Sequence, residues 1–226
     1  AMDPQQRVLM MYIWSAIEDA GHAPSSLAGS DTAIFVGTGF SDYKELVLEA
    51  DWPMEGYSYT GLLPSVGPNR ISFLLDLHGP SEPVETACSS SLVALHKGVS
   101  AIRSGVSGMA IVGGVNTMVT PEPHISFNKA GMLSEDGRCK TFSAAANGYV
   151  RGEGIGILVL KRLDEAREAG DHIYGLIRGS GMNHGGRANS LTAPNSSAQA
   201  ALLKQVYQEA GVDPSTVTYV EAHGTG

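Results

Sequence analysis

The chain has 226 residues, 42% of them hydrophobic and 17% charged, an ordinary globular composition long enough to bury a sizeable core in one large domain or two. With 15 Lys and Arg against 23 Asp and Glu, its formal net charge is −8 and no basic run occurs, which argues against nucleic acid or an anionic membrane surface as a partner. Two cysteines, Cys88 and Cys139, are too few for a disulfide framework and suit a reducing compartment, and no apolar run reaches membrane-spanning length, so a cytoplasmic location with no membrane partner is expected.

In chain order, Gln5 to Ala20 is apolar almost all round, with Gly21 after it, and reads as a buried helix. Thr32 to Gly37 is a strand run bounded by Ser30 and Gly39. Phe40 to Pro64 reads as loop, with Trp52, Tyr57 and Tyr59 packing it. A short helix is expected between Ser65 and Asp76, carrying Ile71 to Leu75. After the break at His78-Gly79-Pro80, Glu82 to Ala87 reads as a brief buried strand. Leu92, Val93, Leu95, Val99 and Ile102 then repeat at helical spacing, with Arg103 in the last turn and Gly105 as a stop.

Met109 to Val115 is a second buried strand, whose paired glycines Gly113 and Gly114 admit close approach by another group. Asn116 to Gly148 reads as loop, interrupted by Pro121, Pro123, Gly131 and Gly137. A further strand is expected over Gly154 to Lys161, followed by a charged helix from Leu163 to Ala169 that stops at Gly170. Ile173 to Gly181 alternates like a strand. Asn195 to Ala210 is a helix with Asn195 or Ser196 as N-cap and Gly211 past its end. Val217 to Ala222 is the last expected strand and delivers His223 at its end. Strand and helix alternate throughout, which predicts a layered α/β fold.

Cys88 is the first candidate catalytic residue. It sits between a strand and a helix, where the unpaired N–H groups of the first helical turn favour a thiolate. Ser89 to Ser91 are small and leave room for an acyl chain, and the Cys88 N–H is placed to face an oxyanion. An arbitrary cysteine is more often a packing residue, but strand, sharp turn and helix together reverse that expectation. Cys139 lies beside Arg138 and Lys140, whose charge favours a thiolate, yet it has no strand-to-helix frame and is read as non-catalytic.

Gly179-Ser180-Gly181-Met182-Asn183-His184-Gly185-Gly186 has no following Lys-Ser or Lys-Thr pair and fits no phosphate motif. His184 reads as a surface or packing residue. His22, His78, His96, His124 and His172 show no zinc-site spacing, and no metal or directly bound cofactor is expected. His223 differs because it is expected at a strand end flanked by Gly224 and Gly226, small neighbours that leave its imidazole approachable.

Thr86-Ala87-Cys88-Ser89-Ser90-Ser91-Leu92 resembles the nucleophile motif of ketosynthase (β-ketoacyl synthase) domains from modular polyketide synthases. Glu221-Ala222-His223-Gly224-Thr225-Gly226 resembles the first histidine motif of that family. The likeness extends through Asp3-Pro4-Gln5-Gln6-Arg7, Gly67-Pro68-Asn69-Arg70-Ile71-Ser72-Phe73 and Gly148-Tyr149-Val150-Arg151-Gly152-Glu153-Gly154, and so covers the whole chain. Asn183-His184-Gly185-Gly186-Arg187 looks like a loop of ketosynthases whose acyltransferase is a separate protein. Ser143 and Asn147 depart from the family, which commonly has acidic residues there.

The resemblance implies a thiolase-like layered αβαβα fold, incomplete at both ends. Residues 1–226 would be a partial ketosynthase domain, an internal fragment with a nearly complete N-terminal half and a C-terminal half cut after the first histidine motif. It also implies that Cys88 accepts an acyl chain from the phosphopantetheine arm of an acyl carrier protein. His223 and a second histidine, expected beyond Gly226, would stabilise the enolate formed as a malonyl-type extender loses carbon dioxide. The carbanion would attack the acyl-cysteine in a decarboxylative Claisen condensation, within a homodimer. A non-elongating ketosynthase that only transfers or holds acyl chains is the alternative. A Cys-His hydrolase fits less well, since it would want an Asn orienter after the histidine and a tryptophan near the cysteine.

Overall fold

Asp3 starts the first helix, α1 (Pro4–Asp19), by accepting the Gln5 N–H at 2.7 Å on its carboxylate, and Pro4 follows where a missing N–H leaves no intrahelical bond unmade. The computed structural model describes residues 2–39, 41–190 and 192–226, which divide into two units, Ala1–Leu160 with Ala222–Gly226, and Lys161–Glu221. In the first unit α1 buries the i, i+4 stripe Leu9, Ile13 and Ile17, together with Gln5 and Gln6. The expectation of a helix buried all round is corrected here. Met11, 65% exposed, with Tyr12 and Trp14, lies on the face turned away from that stripe.

Strand β1 (Ala33–Thr38) is buried at every position and is followed by α2 (Tyr43–Glu49), a 3-10 turn at Tyr59–Gly61 and α3 (Val66–Leu75). Next come β2 (Ser81–Val84), α4 (Ser90–Arg103), β3 (Met109–Asn116), α5 (Glu122–Lys129) and β4 (Gly154–Lys161). The sheet order is β2-β1-β3-β4, with β1 parallel to β2 and to β3 and Gly37 level with Val84 and with Gly114.

Two faces with period 2 explain why β1 and β3 are apolar along their whole length. Ile34, Val36, Ile111 and Val115 join Leu9, Ile13 and Ile17 of α1 and Ile71 of α3 in one core cluster. Ala33, Phe35, Ala110 and Val112 join Ala94, Ala101 and Ile102 of α4 in another. The sheet of this unit therefore lies between α1 with α3 on one face and α4 on the other.

Helices α2 and α5 fall in segments read from sequence as loop. Only Val47 of α2 is buried, so no apolar stripe marks it. Pro121 and Pro123 look like breakers but occupy the N-cap and the first turn of α5, positions where proline is tolerated. Phe40, at the start of the first of these segments, lies outside the described residues.

In the second unit, α6 (Leu163–Ala169) is flanked by the two partners of an ion pair, Lys161 Nζ and Asp171 Oδ2 at 2.8 Å. Helix α7 (Ser196–Ala210) is capped by Asn195, whose side-chain oxygen accepts from the Ser197 and Ala198 N–H groups, and closes on Gly211. Gly179 and Gly181 run against α7. A Cβ on Gly181 would stand 2.5 Å from Val206 Cγ2, and one on Gly179 would stand 2.9 Å from Ala210 Cβ. These glycines make room for a helix, in keeping with the rejection of a phosphate loop.

The strands expected over Ile173–Gly181 and Val217–Ala222 are not formed among the described residues. Alternation predicts an extended backbone, but a strand also requires a neighbouring backbone to complete its ladder. Without that pairing, Tyr174, Tyr219 and Val220 stay exposed. Among the described residues no helix is long and apolar enough to cross a membrane.

Candidate active site

Cys88 stands where β2 gives way to α4. The strand ends at Val84, three residues before the sequence expectation, and Ala87–Ser89 form a 3-10 turn ahead of the helix. Ala87 has φ +53, a left-handed conformation that costs a residue with a Cβ about 1–2 kcal/mol. Short-range hydrogen bonds hold the turn in that shape. The Thr86 N–H donates to Ser90 Oγ at 2.8 Å, and Ser90 Oγ donates to the Ala87 carbonyl at 2.7 Å. Ser89 Oγ donates to the Thr86 carbonyl, and the Ala87 N–H donates to Glu85 Oε1, each at 2.9 Å. Ser90 is buried while Cys88 is exposed, so the hydroxyl fixes the bend from beneath and leaves the sulfur open.

The sheet sets how close this bend lies to the strands. A Cβ on Gly37 of β1 would come within 2.7 Å of the Ser91 backbone nitrogen, and one on Gly114 of β3 within 2.8 Å of Ser91 Cβ. Absence of both side chains lets the first turn of α4 rest on the carboxyl-terminal ends of β1 and β3. In open α/β sheets that is the edge where ligands bind. Loops at the same edge are tied together. Asp42, after β1, accepts the Val119 and Thr120 N–H groups at 3.0 Å each. Glu153 accepts the Met118 N–H at 2.7 Å, and Asn116 Nδ2 donates to the Gly152 carbonyl at 2.6 Å.

Cys139 is also exposed, but it lies in an irregular turn, and its sulfur accepts the Val150 N–H at 3.1 Å. Nearby, Lys140 Nζ donates to Asp136 at 2.5 Å. That bond, with a second from Ser134, holds the Asp136 carboxyl below its ordinary range. Ser143 and Asn147 make local contacts: Ser143 Oγ accepts the Ala145 N–H at 3.1 Å, and Ser134 Oγ donates to Asn147 Oδ1 at 3.2 Å.

His223 belongs to the same unit as Cys88 and is exposed. Its segment is held just beyond the imidazole, where Thr141 Oγ1 donates to the Gly224 carbonyl at 2.5 Å. No hydrogen bond joins Cys88 to His223 among the described residues. The Tyr219 hydroxyl donates to Glu221, the residue two before His223, which raises the Tyr219 pKa. His184 Nδ1 accepts the Gly186 N–H at 2.9 Å, and Asn195 Nδ2 donates to the Gly185 carbonyl at 2.7 Å, so the Asn183–Arg187 loop is anchored at the start of α7. No group of three or more His, Cys, Asp or Glu suited to a metal ion occurs among the described residues.

Sequence reasoning named Ser90 only as one of three small residues that leave room, not as the clasp of the turn, and did not single out Gly37 or Thr141. The first two carried a usable signal, a small residue in a nucleophile turn and a glycine at a strand end. Thr141 carried none, because its partner is 83 residues away.

Two family models match the chain, the β-ketoacyl synthase N-terminal domain over residues 1–166 and the β-ketoacyl synthase C-terminal domain over residues 174–226. Polyketide synthase PksN of Bacillus subtilis is 59% identical over 225 residues, covering 100% of this chain and 4% of PksN. Polyketide synthase ThaG of Burkholderia thailandensis is 47% identical over 225 residues, covering 100% of this chain and 4% of ThaG. The ketosynthase from module 6 of the bacillaene synthase of Bacillus subtilis superposes with a TM-score of 0.91 at 41% identity, covering 99% of this chain and 38% of that one. The oxazolomycin ketosynthase domain of Streptomyces albus superposes at 0.92 with 37% identity, covering 100% of this chain and 40% of that one. The chain thus spans a small part of these synthases and under half of the solved ketosynthase chains, and it belongs to the β-ketoacyl synthase family, with the thiolase-like α/β fold of polyketide synthase ketosynthase domains.

Proposed function

We propose that this chain carries the nucleophile and one catalytic imidazole of a decarboxylative condensing enzyme, contributing the N-terminal half of a ketosynthase domain and the opening of its C-terminal half. The observation that carries the proposal is Cys88, exposed at the tip of a strained, hydrogen-bonded turn above the carboxyl ends of parallel strands. The Cys88 sulfur attacks the acyl thioester on the phosphopantetheine arm of an acyl carrier protein. The carrier thiol leaves with a proton and the acyl group stays on the sulfur. A malonyl-type extender then breaks its bond to the carboxylate and releases carbon dioxide. The bonding pair passes into an enolate whose oxygen accepts a hydrogen bond from His223. The enolate carbon attacks the acyl carbonyl, and the Cys88 sulfur departs as the leaving group.

Partner and setting follow from the same reading. The carrier protein is the substrate-bearing partner, and the setting is the cytoplasm. A second copy would pair along the free side of β2, which is an edge strand of the sheet, next to α3 with its exposed Phe73 and Leu74. The Asn183–Arg187 loop supports assignment to synthases served by a separate acyltransferase.

The deciding experiment separates the two half-reactions in the protein that carries this chain. His223→Ala should leave Cys88 acylation intact while carbon dioxide release falls about a hundredfold, the scale of losing one oxyanion donor. Equal loss of both steps would remove His223 from the enolate role. Acylation of Cys88 with no carbon dioxide release in the unaltered protein would favour the non-elongating reading.

A further inference from the structure

We infer that Thr141 is a positioning residue for His223, holding the catalytic histidine through the residue that follows it; the inference rests on the reading of His223 as a catalytic donor. Thr141 reaches Gly224 in two ways. Its hydroxyl donates to the Gly224 carbonyl at 2.5 Å. Its methyl carbon occupies the space a side chain at residue 224 would need, with Cγ2 lying 2.7 Å from where a Cβ would stand. Gly224 has φ +48, so the chain turns at once after the imidazole, in a conformation that glycine adopts without steric cost. A second grip lies two residues on. A Cβ on Gly226 would come within 2.9 Å of the Gly148 carbonyl oxygen and 3.3 Å of the Lys140 nitrogen. The segment that follows His223 therefore sits in a cradle made by the turn around Thr141 and by Gly148.

The cradle is itself built under strain. Phe142, next to Thr141, has φ +62 and is 88% exposed. A bulky side chain in the left-handed region is an outlier, and burial of its ring does not compensate the cost here. That backbone turn is closed by the Ser143 N–H donating to the Lys140 carbonyl at 3.0 Å, with Lys140 tied to Asp136 and the Cys139 sulfur tied to the Val150 N–H. With both flanks of the turn tied down, the Thr141 hydroxyl has a fixed direction, and what it points to is the carbonyl adjoining His223. A displacement of about 1 Å at a catalytic group is enough to cost a large factor in rate, so losing this hydroxyl should reach the chemistry through the histidine.

Thr141→Val keeps the shape and removes the donor, Thr141→Ser keeps the donor, and Thr141→Ala removes donor and methyl together. In the protein that carries this chain, Thr141→Val and Thr141→Ala should lower carbon dioxide release from a malonyl-loaded carrier protein about tenfold, the scale of one hydrogen bond, with Cys88 acylation unchanged. Thr141→Ser should stay within about twofold of the parent. Independently of activity, amide hydrogen exchange in Ala222–Gly226 should speed up about tenfold in the valine variant and stay unchanged in the serine variant. Unchanged exchange in the valine variant would overturn the inference, as would faster exchange with full decarboxylation in a protein where His223→Ala abolishes it. Should His223→Ala leave decarboxylation intact, the catalytic reading of His223 falls and the positioning of His223 for catalysis falls with it, whereas the exchange data still report the anchor. The two failures therefore give different patterns.

Discussion

Cys88 and His223 are held in opposite ways. The cysteine caps a turn secured from within by Thr86, Ser89 and Ser90 and pressed onto the sheet where Gly37 and Gly114 leave space. The histidine rides on an exposed segment outside any helix or strand, with its anchor one residue downstream, where Thr141 bonds Gly224. The contrast fits the two tasks proposed for them. A nucleophile that must line up with successive thioesters gains from a site built into the sheet. A donor to a transient enolate can be placed by a lighter tether.

The largest effect should come from breaking the seat of the cysteine. Gly37→Val would drive a side chain into the Ser90–Ser91 backbone, 2.7 Å from the would-be Cβ, and overpacking of that kind costs about 3 kcal/mol. Thermal unfolding should show it as a drop of about 6–12 °C, and Cys88 acylation should fall with it. Gly181→Val, crowding Val206 in the other unit at 2.5 Å, should destabilise comparably yet leave Cys88 acylation in the surviving folded protein near its parent rate. Loss of acylation in both would mean that the two regions are less independent than their separate packing implies.

A smaller effect, and a sharper one, is expected at Ser90. Ser90→Ala removes the acceptor for the Thr86 N–H and the donor to the Ala87 carbonyl, at a cost of about 1–3 kcal/mol for the groups left unpaired. Because those bonds hold Ala87 at φ +53, acylation of Cys88 should slow more than the stability loss alone explains. Denaturant unfolding and acylation kinetics on the same sample check it. Acylation at the parent rate despite the stability loss would show that the turn does not need its buried serine.

The same contrast governs what the sequence could disclose. β1 and β3 were readable because each buries both faces, so apolar runs and their bounding glycines mark them without reference to any partner. The cysteine turn was readable as a break between a strand and a periodic helix, although β2 stops at Val84 and Ala87 takes a conformation no propensity would assign. Val217–Ala222 and Ile173–Gly181 misled, since alternation describes a backbone ready to pair and is silent on whether a partner is at hand. Met11, Tyr12 and Trp14 misled for a related reason: apolar residues around a whole helix do not say which stripe meets the sheet. Helix α5 was hidden by prolines that stand at its start. Thr141 could not be found at all, because a hydrogen bond to a distant carbonyl leaves no local pattern.

The central claim, that Cys88 is the acyl-accepting nucleophile, is tested most directly by finding where an acyl group lands. Both cysteines are exposed, so access alone does not choose between them. Cys88 sits in the 3-10 turn just ahead of a helix, whereas the Cys139 sulfur is engaged by the Val150 N–H. Brief incubation of the folded protein carrying this chain with an acyl thioester at neutral pH, followed by peptide mapping, should place the acyl group on Cys88 and leave Cys139 unmodified. Acylation of Cys139 first, or of both at equal rates, would contradict the assignment.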